Sequence, residues 1–133
     1  MATIDTAVIR ALVVGCLLLA TATLMAVAVN TARAAGALAI GSCGAFGEAF
    51  DFPTVEQARA SALSKCSGQN CRVVAVTKKG CAAFAVDFAN ACGGYGWGRG
   101  PHLGMTQNAA LQACYKSGGK ECVIRTFFCD NKG

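Results

Sequence analysis

Histidine, tryptophan and proline are almost missing from this chain, which holds one His (His102), one Trp (Trp97) and two Pro (Pro53 and Pro101). A single imidazole gives no His cluster for zinc. No C-x2-C knuckle replaces it, the nearest spacing being Cys66-x4-Cys71. No metal site and no cofactor is therefore expected. Carboxylates are also few. Glycosidase chemistry needs two of them at a set separation, and among Glu48, Asp51, Glu56, Asp87, Glu121 and Asp130 the spacing singles out no pair, Glu48 with Asp87 being the conceivable one. A nucleophile-elbow pattern, G-x-S-x-G, is absent. Basic residues outnumber acidic ones by 12 to 7, but only Lys78 and Lys79 are adjacent. Nucleic-acid binding needs a basic stripe that displaces counterions, so no nucleic-acid partner is expected and the scattered cations read as solvated surface.

The chain does have one long apolar run. Arg10 precedes Ala11 to Val29, and Ala32-Arg33-Ala34 offers an A-x-A cleavage site before Ala35. That order reads as a secretory signal over residues 1–34. The run is 19 residues long, above the usual apolar region of a signal and near the length that spans a bilayer. The alternative is an uncleaved N-terminal anchor, the one expected membrane attachment. A lipoprotein reading of Cys16 is disfavoured because the apolar run continues past it. Either way residues 35–133 cross the membrane, to a secreted, periplasmic or cell-envelope location, with a net charge of +4.

Cysteine is abundant. Eight of the nine fall in the exported part and recur twice in the same order: Cys43, Cys66, Cys71 and Cys81 map onto Cys92, Cys114, Cys122 and Cys129, at offsets of 49, 48, 51 and 48. An even cysteine count in a small exported chain means disulfides. The repeated ladder means a duplicated unit, about residues 36–80 and 81–130. Pro53 through Cys66 lies over Pro101 through Cys114 without gaps. In the first copy Thr54 and Gln57 form a capping box, and Val55, Ala58, Ala62, Leu63 and Cys66 make a helical apolar stripe. The second copy keeps the stripe as Leu103, Thr106, Ala110, Leu111 and Cys114. Its opening is weaker, since Gly104 disfavours helix and His102 caps poorly, so this helix is expected to begin late or fray. Strands are expected at Ala37–Ile40, Cys71–Thr77, Cys81–Phe88 and Cys122–Phe128. The expected fold is α+β: two β-β-α-β units in a single disulfide-rich domain, with a mostly antiparallel sheet and two helices on one face.

Several of these residues carry a resemblance: Ala62-Leu63-x2-Cys66, then Cys71-Arg72-Val73-Val74, Cys81-Ala82-Ala83, and Gly-Tyr-Gly-Trp at 94–97. Over roughly Gly36 to Cys129 the chain resembles the domain of unknown function 4189 family of exported bacterial proteins. The resemblance implies an exported, disulfide-bonded domain with no established catalytic role. Cys43 and Cys92 look like an addition to that family's usual pattern.

Pseudo-symmetry suggests the pairing, one of 105 open to eight cysteines. Cys66 closes a helix and Cys71 opens a strand, so they should meet across a turn, and Cys114 with Cys122 repeats this. Cys81 and Cys129 end equivalent strands and would join the halves, which leaves Cys43 to Cys92.

Before each helix lies a Gly-spaced aromatic stretch, Ala45–Phe52 and Gly94–Gly100. Strand alternation puts Tyr95, Trp97 and Arg99 on one face and only glycines on the other; the first copy gives Phe46, Glu48 and Phe50. If helices cover the glycine side, neighbouring strands would present Phe46, Phe50, Tyr95 and Trp97 beside Arg99 and Glu48. That surface suits sugar rings or a peptide, unless the rings fill a second core. His102 aligns with the cap Thr54, so it reads as a cap or surface residue, and no catalytic residue is assigned. The candidate binding set is Phe46, Phe50, Tyr95, Trp97, Arg99 and His102. The expected function is a non-enzymatic binding module for a cell-wall glycan or an extracellular protein. The alternatives are an inhibitor or immunity factor that plugs a hydrolase cleft with the loop Arg99–Gly104, and, behind it, an enzyme.

Overall fold

The computed structural model describes residues 10–16 and 35–130. Residues 10–16 are helical; the remainder of the expected leader lies outside the described residues. Among the described residues no helix is long and apolar enough to cross a membrane. From residue 35 onward the strands are β1 (Ala35–Ile40), β2 (Phe46–Phe52), β3 (Arg72–Lys78), β4 (Cys81–Asp87), β5 (Tyr95–Gly100) and β6 (Cys122–Cys129). The helices are α1 (Val55–Lys65), between β2 and β3, and α2 (Leu103–Lys116), between β5 and β6. Each half thus runs β-β-α-β.

Two of these strands organise the rest. β1 (AGALAI) and β4 (CAAFAVD) are buried at every position, as a strand must be when both of its faces are covered. One helix per half covers only one face. The other face needs a second apolar sheet. The strands accordingly divide into two antiparallel sheets of three, in the orders β2-β1-β3 and β5-β4-β6, instead of forming one sheet with both helices on the same face. The α+β class, the antiparallel pairing and the repeat order are as expected from the sequence. Each sheet turns one face to its own helix and the other to its twin, giving the layers α1, sheet, sheet, α2.

Side-chain size follows the layers. Between α1 and its sheet the core is Ala35, Ala37, Ala39, Ala49, Ala58, Ala62 and Cys66. Between α2 and its sheet it is Ala83, Ala85, Ala110, Cys114 and Cys122. Small residues let each helix sit close on its sheet. The closest approaches fall at equivalent glycines: a Cβ on Gly47 would lie 2.1 Å from the Ala62 carbonyl oxygen, and one on Gly96 2.2 Å from the Cys114 nitrogen. The large side chains, Leu38, Ile40, Phe84, Val86 and Phe128, fill the layer between the sheets. Burial of each contributes about 1.5–3 kcal/mol.

Register keeps the symmetry. Ile40 pairs with Phe46 and Val86 with Tyr95; Leu38 pairs with Glu48 and Phe84 with Trp97. One irregularity falls at the same point of both sheets, between Leu38 and Ala39 and between Phe84 and Ala85; a second, between Ala35 and Ala37, belongs to the first sheet alone. Thr54 caps α1 by accepting the Gln57 N–H at 3.2 Å, as its sequence indicates. α2 does not begin late. It starts at Leu103, the position equivalent to Val55, with no side-chain cap at His102. Its stripe of Thr106, Ala110 and Cys114 is buried on the sheet, and Thr106 ties itself back to the His102 carbonyl through both its N–H (3.1 Å) and its hydroxyl (2.8 Å). Tertiary packing outweighs a poor cap.

Four disulfides are formed: Cys43–Cys92, Cys66–Cys71, Cys81–Cys129 and Cys114–Cys122. Cys66–Cys71 and Cys114–Cys122 pin each helix end to the strand that follows. Cys81 faces Cys129 in register across β4 and β6, so this bond lies within the second sheet and does not join the halves. Its counterpart by register in the first sheet is the pair Ala35 and Lys78. Cys43–Cys92 is the cross-link between halves. Four such bonds fit an oxidising compartment, extracellular or periplasmic.

Candidate functional site

The edge strands of the two sheets lie over one another, β2 against β6 and β3 against β5. This creates two rims where the layer between the sheets meets solvent, and they differ. At the β2/β6 rim the Thr126 hydroxyl donates to the Glu48 carboxylate. Phe50 stacks on Phe128 at a centroid distance of 6.0 Å and an interplanar angle of 23°, and Phe46 tilts onto Phe84 at 6.0 Å. Side chains of both sheets meet at that rim, although Phe50 remains 47% exposed.

The β3/β5 rim is open. Tyr95, Trp97 and Arg99 alternate along β5 with Gly96 and Gly98, which are buried under α2. Trp97 pairs with Phe84, so both side chains share the face turned toward the other sheet, yet Trp97 stays 38% exposed. Tyr95, also 38% exposed, rests against the edge of the core, 6.4 Å from the Phe84 ring. The Arg99 guanidinium reaches across to β3 and donates to the Val76 carbonyl at 3.3 Å.

Two recesses flank Trp97 along this rim. One, of about 200 Å³, is lined by Ile40, Gly41, Ser42, Asn70, Arg72 and Tyr95. The other, of about 270 Å³, lies where the turn from β3 to β4 meets the end of β5, with Lys78, Lys79, Arg99 and Pro101 in its lining. Tyr95 touches the first and Arg99 the second. At about 3.3 Å per strand residue they stand about 13 Å apart, with Trp97 midway. The rim is therefore a continuous edge, two rings long, with a cation at each end.

The candidate binding residues are thus separated. Tyr95, Trp97 and Arg99 are brought together. Phe46 and Phe50 are not with them, because β2 and β5 are edge strands of different sheets rather than neighbours. His102 sits exposed at the start of α2, and the segment 99–104 forms no protruding loop, since β5 runs to Gly100 and α2 begins at Leu103. Arg72, Lys78 and Lys79 join the site although in sequence they look like scattered surface charge. No local spacing marks them, because what joins them to the site is the stacking of β3 on β5.

Two of the remaining acids have structural duties. Asp87, 6% exposed, accepts the N–H groups of Lys120 at 2.7 Å, Ala89 at 2.9 Å and Asn90 at 3.2 Å. These bonds, the one from Lys120 foremost, hold its carboxyl below the usual carboxylate range. They also order the loop that carries Cys92. Asp130, 2% exposed, accepts the Thr77 hydroxyl and the Asp51 N–H. Among the described residues no three His, Cys, Asp or Glu gather into a metal-binding group.

Taken together, the molecule is a duplicated, disulfide-cross-linked α+β sandwich whose two rims carry different side chains. The chain belongs to the family described as Domain of unknown function (DUF4189), whose model matches residues 35–129. No curated protein and no solved structure matches the chain.

Proposed function

We propose that this domain is an exported, non-enzymatic binding module and that its ligand, a cell-envelope glycan, lies along the β3/β5 rim. The observation that carries this reading is a break in the internal symmetry. Where the first copy places Glu48, satisfied by Thr126, the second places Trp97, which leaves its ring partly open beside Tyr95. Phe84 is fully buried, at 0% exposure, and Phe50 at the opposite rim, 47% exposed, carries no polar tip. Half-exposed tryptophan and tyrosine, apolar in body and polar at one tip, suit the mixed apolar and hydroxylated faces of sugars. The leader-like start and the four disulfides support export.

The test is retention of the oxidised domain on purified envelope polysaccharide, for wild type, Trp97→Ala and Tyr95→Ala. The expected result is binding by wild type and loss in both variants, with unchanged thermal melting. Failure of wild type to bind any envelope glycan would sink the reading.

A further inference from the structure

We propose that the recess beside Lys78, Lys79 and Arg99 is an anion subsite, which makes the ligand of the rim an acidic glycan carrying carboxylate or phosphate groups; this deepens the binding-module reading and rests on it. Three cationic residues line it, Lys78 at the end of β3, Lys79 in the turn after it and Arg99 on β5. All three are exposed, and the recess lining contains no carboxylate. The nearest buried acid, Asp130 behind Thr77, is occupied by the Thr77 hydroxyl and the Asp51 N–H.

The arrangement is built rather than diffuse. Arg99 spends one N–H on the Val76 carbonyl, which holds the planar fork while its other donors remain available to an oxyanion. Lys79 adopts the left-handed conformation, φ 57°, in the tight turn from β3 to β4. Pro101, also in the lining, leads into α2. A volume of about 270 Å³ admits an oxyanion together with several waters, each needing about 30 Å³.

A fourth cation, Arg72, lies at the opposite end of β3 in the recess that Tyr95 lines. Six residue steps along the strand take it to Lys78, about 20 Å away. Cations at both ends with rings between them match a polymer that bears repeated negative charges and presents sugar faces between them.

The experiment measures binding of the disulfide-intact domain to three polymers: polygalacturonate, a polyol-phosphate chain and neutral dextran. Each is run at low and at about 0.5 M salt, where exposed charges are screened. One or both anionic polymers should bind more tightly than dextran and weaken with salt, and the two arms separate carboxylate from phosphate. Lys78→Gln/Lys79→Gln and Arg99→Gln should each lower that affinity about tenfold and flatten its salt dependence, without a change in melting temperature. Equal affinity for neutral and acidic polymers, untouched by these substitutions, would overturn the subsite and leave the binding module standing. Binding to no polymer of any charge would remove both.

Discussion

Cys43 and Cys92 are counterparts in the two copies of the repeat, and they are bonded to each other, with their Cα atoms 3.9 Å apart. Each lies in the connection that leads from a central strand to its outer neighbour, β1 to β2 and β4 to β5. Cys92 is held in place by its own N–H on the Asn90 side chain at 3.1 Å, and Asn90 is in turn fixed by Asp87. The bond therefore sits where internal symmetry brings like positions together.

Removing that bond should loosen the two halves without unfolding either helix–strand clasp. It spans 49 residues, and closing a loop of that size is worth about 4 kcal/mol in the chain-entropy model. Cys43→Ser/Cys92→Ser should lose about that much in a urea melt. A loss below about 1 kcal/mol would mean that the sheet-to-sheet core alone holds the halves together.

Gly96→Ala should be more damaging than an ordinary overpacking change. The added methyl meets helix backbone at 2.2 Å, which cannot rotate away as a side chain would, so a cost of about 3 kcal/mol or more is expected. Gly104→Ala, whose Cβ would meet nothing within 4 Å, should instead stabilise α2 by up to about 1 kcal/mol. Thermal denaturation of the two variants side by side checks the contrast.

Asp87 ties stability to pH. Its carboxyl is held below the ordinary value of 3.8, so the folded state favours the ionised form. That contribution is present in full above the unfolded carboxylate range and is lost as pH falls through the lowered folded value. Asp87→Asn should be less stable than wild type near neutrality, and the gap should narrow at about pH 3. A gap independent of pH would show that the side chain contributes only its shape.

The Phe84 ring supports both rims, touching Phe46 on one side and Tyr95 on the other. Phe84→Ala should cost about 3–5 kcal/mol and should weaken ligand binding through Tyr95. Trp97→Ala, at a site 38% exposed, should cost far less stability and more binding. If Trp97→Ala destabilises as strongly as Phe84→Ala, the tryptophan is core.

Much of this could be read along the chain. The capping pair Thr54 and Gln57, the strand periodicity and the cysteine ladder depend on neighbours in sequence, and local physics settles them. Strand ends were legible to within one or two residues. The rim was not. Phe46 and Tyr95 hold equivalent places, so sequence alone treats them as one surface, while their strands belong to different sheets. Arg72 and Lys78 carry no pattern until β3 is laid against β5.

By itself the sequence determined the repeat, the secondary structure and the cysteine chemistry, because each is written in spacing and side-chain type over short distances. Tertiary structure decided that two sheets form instead of one, that Cys81–Cys129 closes a single sheet, and that Glu48 and Trp97, equivalent by register, sit at different rims. The physical reason is that β1 and β4 are apolar on both faces: one face is covered by a helix of the same copy, and the other can be covered only by the opposite copy. The position of every edge residue relative to solvent follows from that stacking.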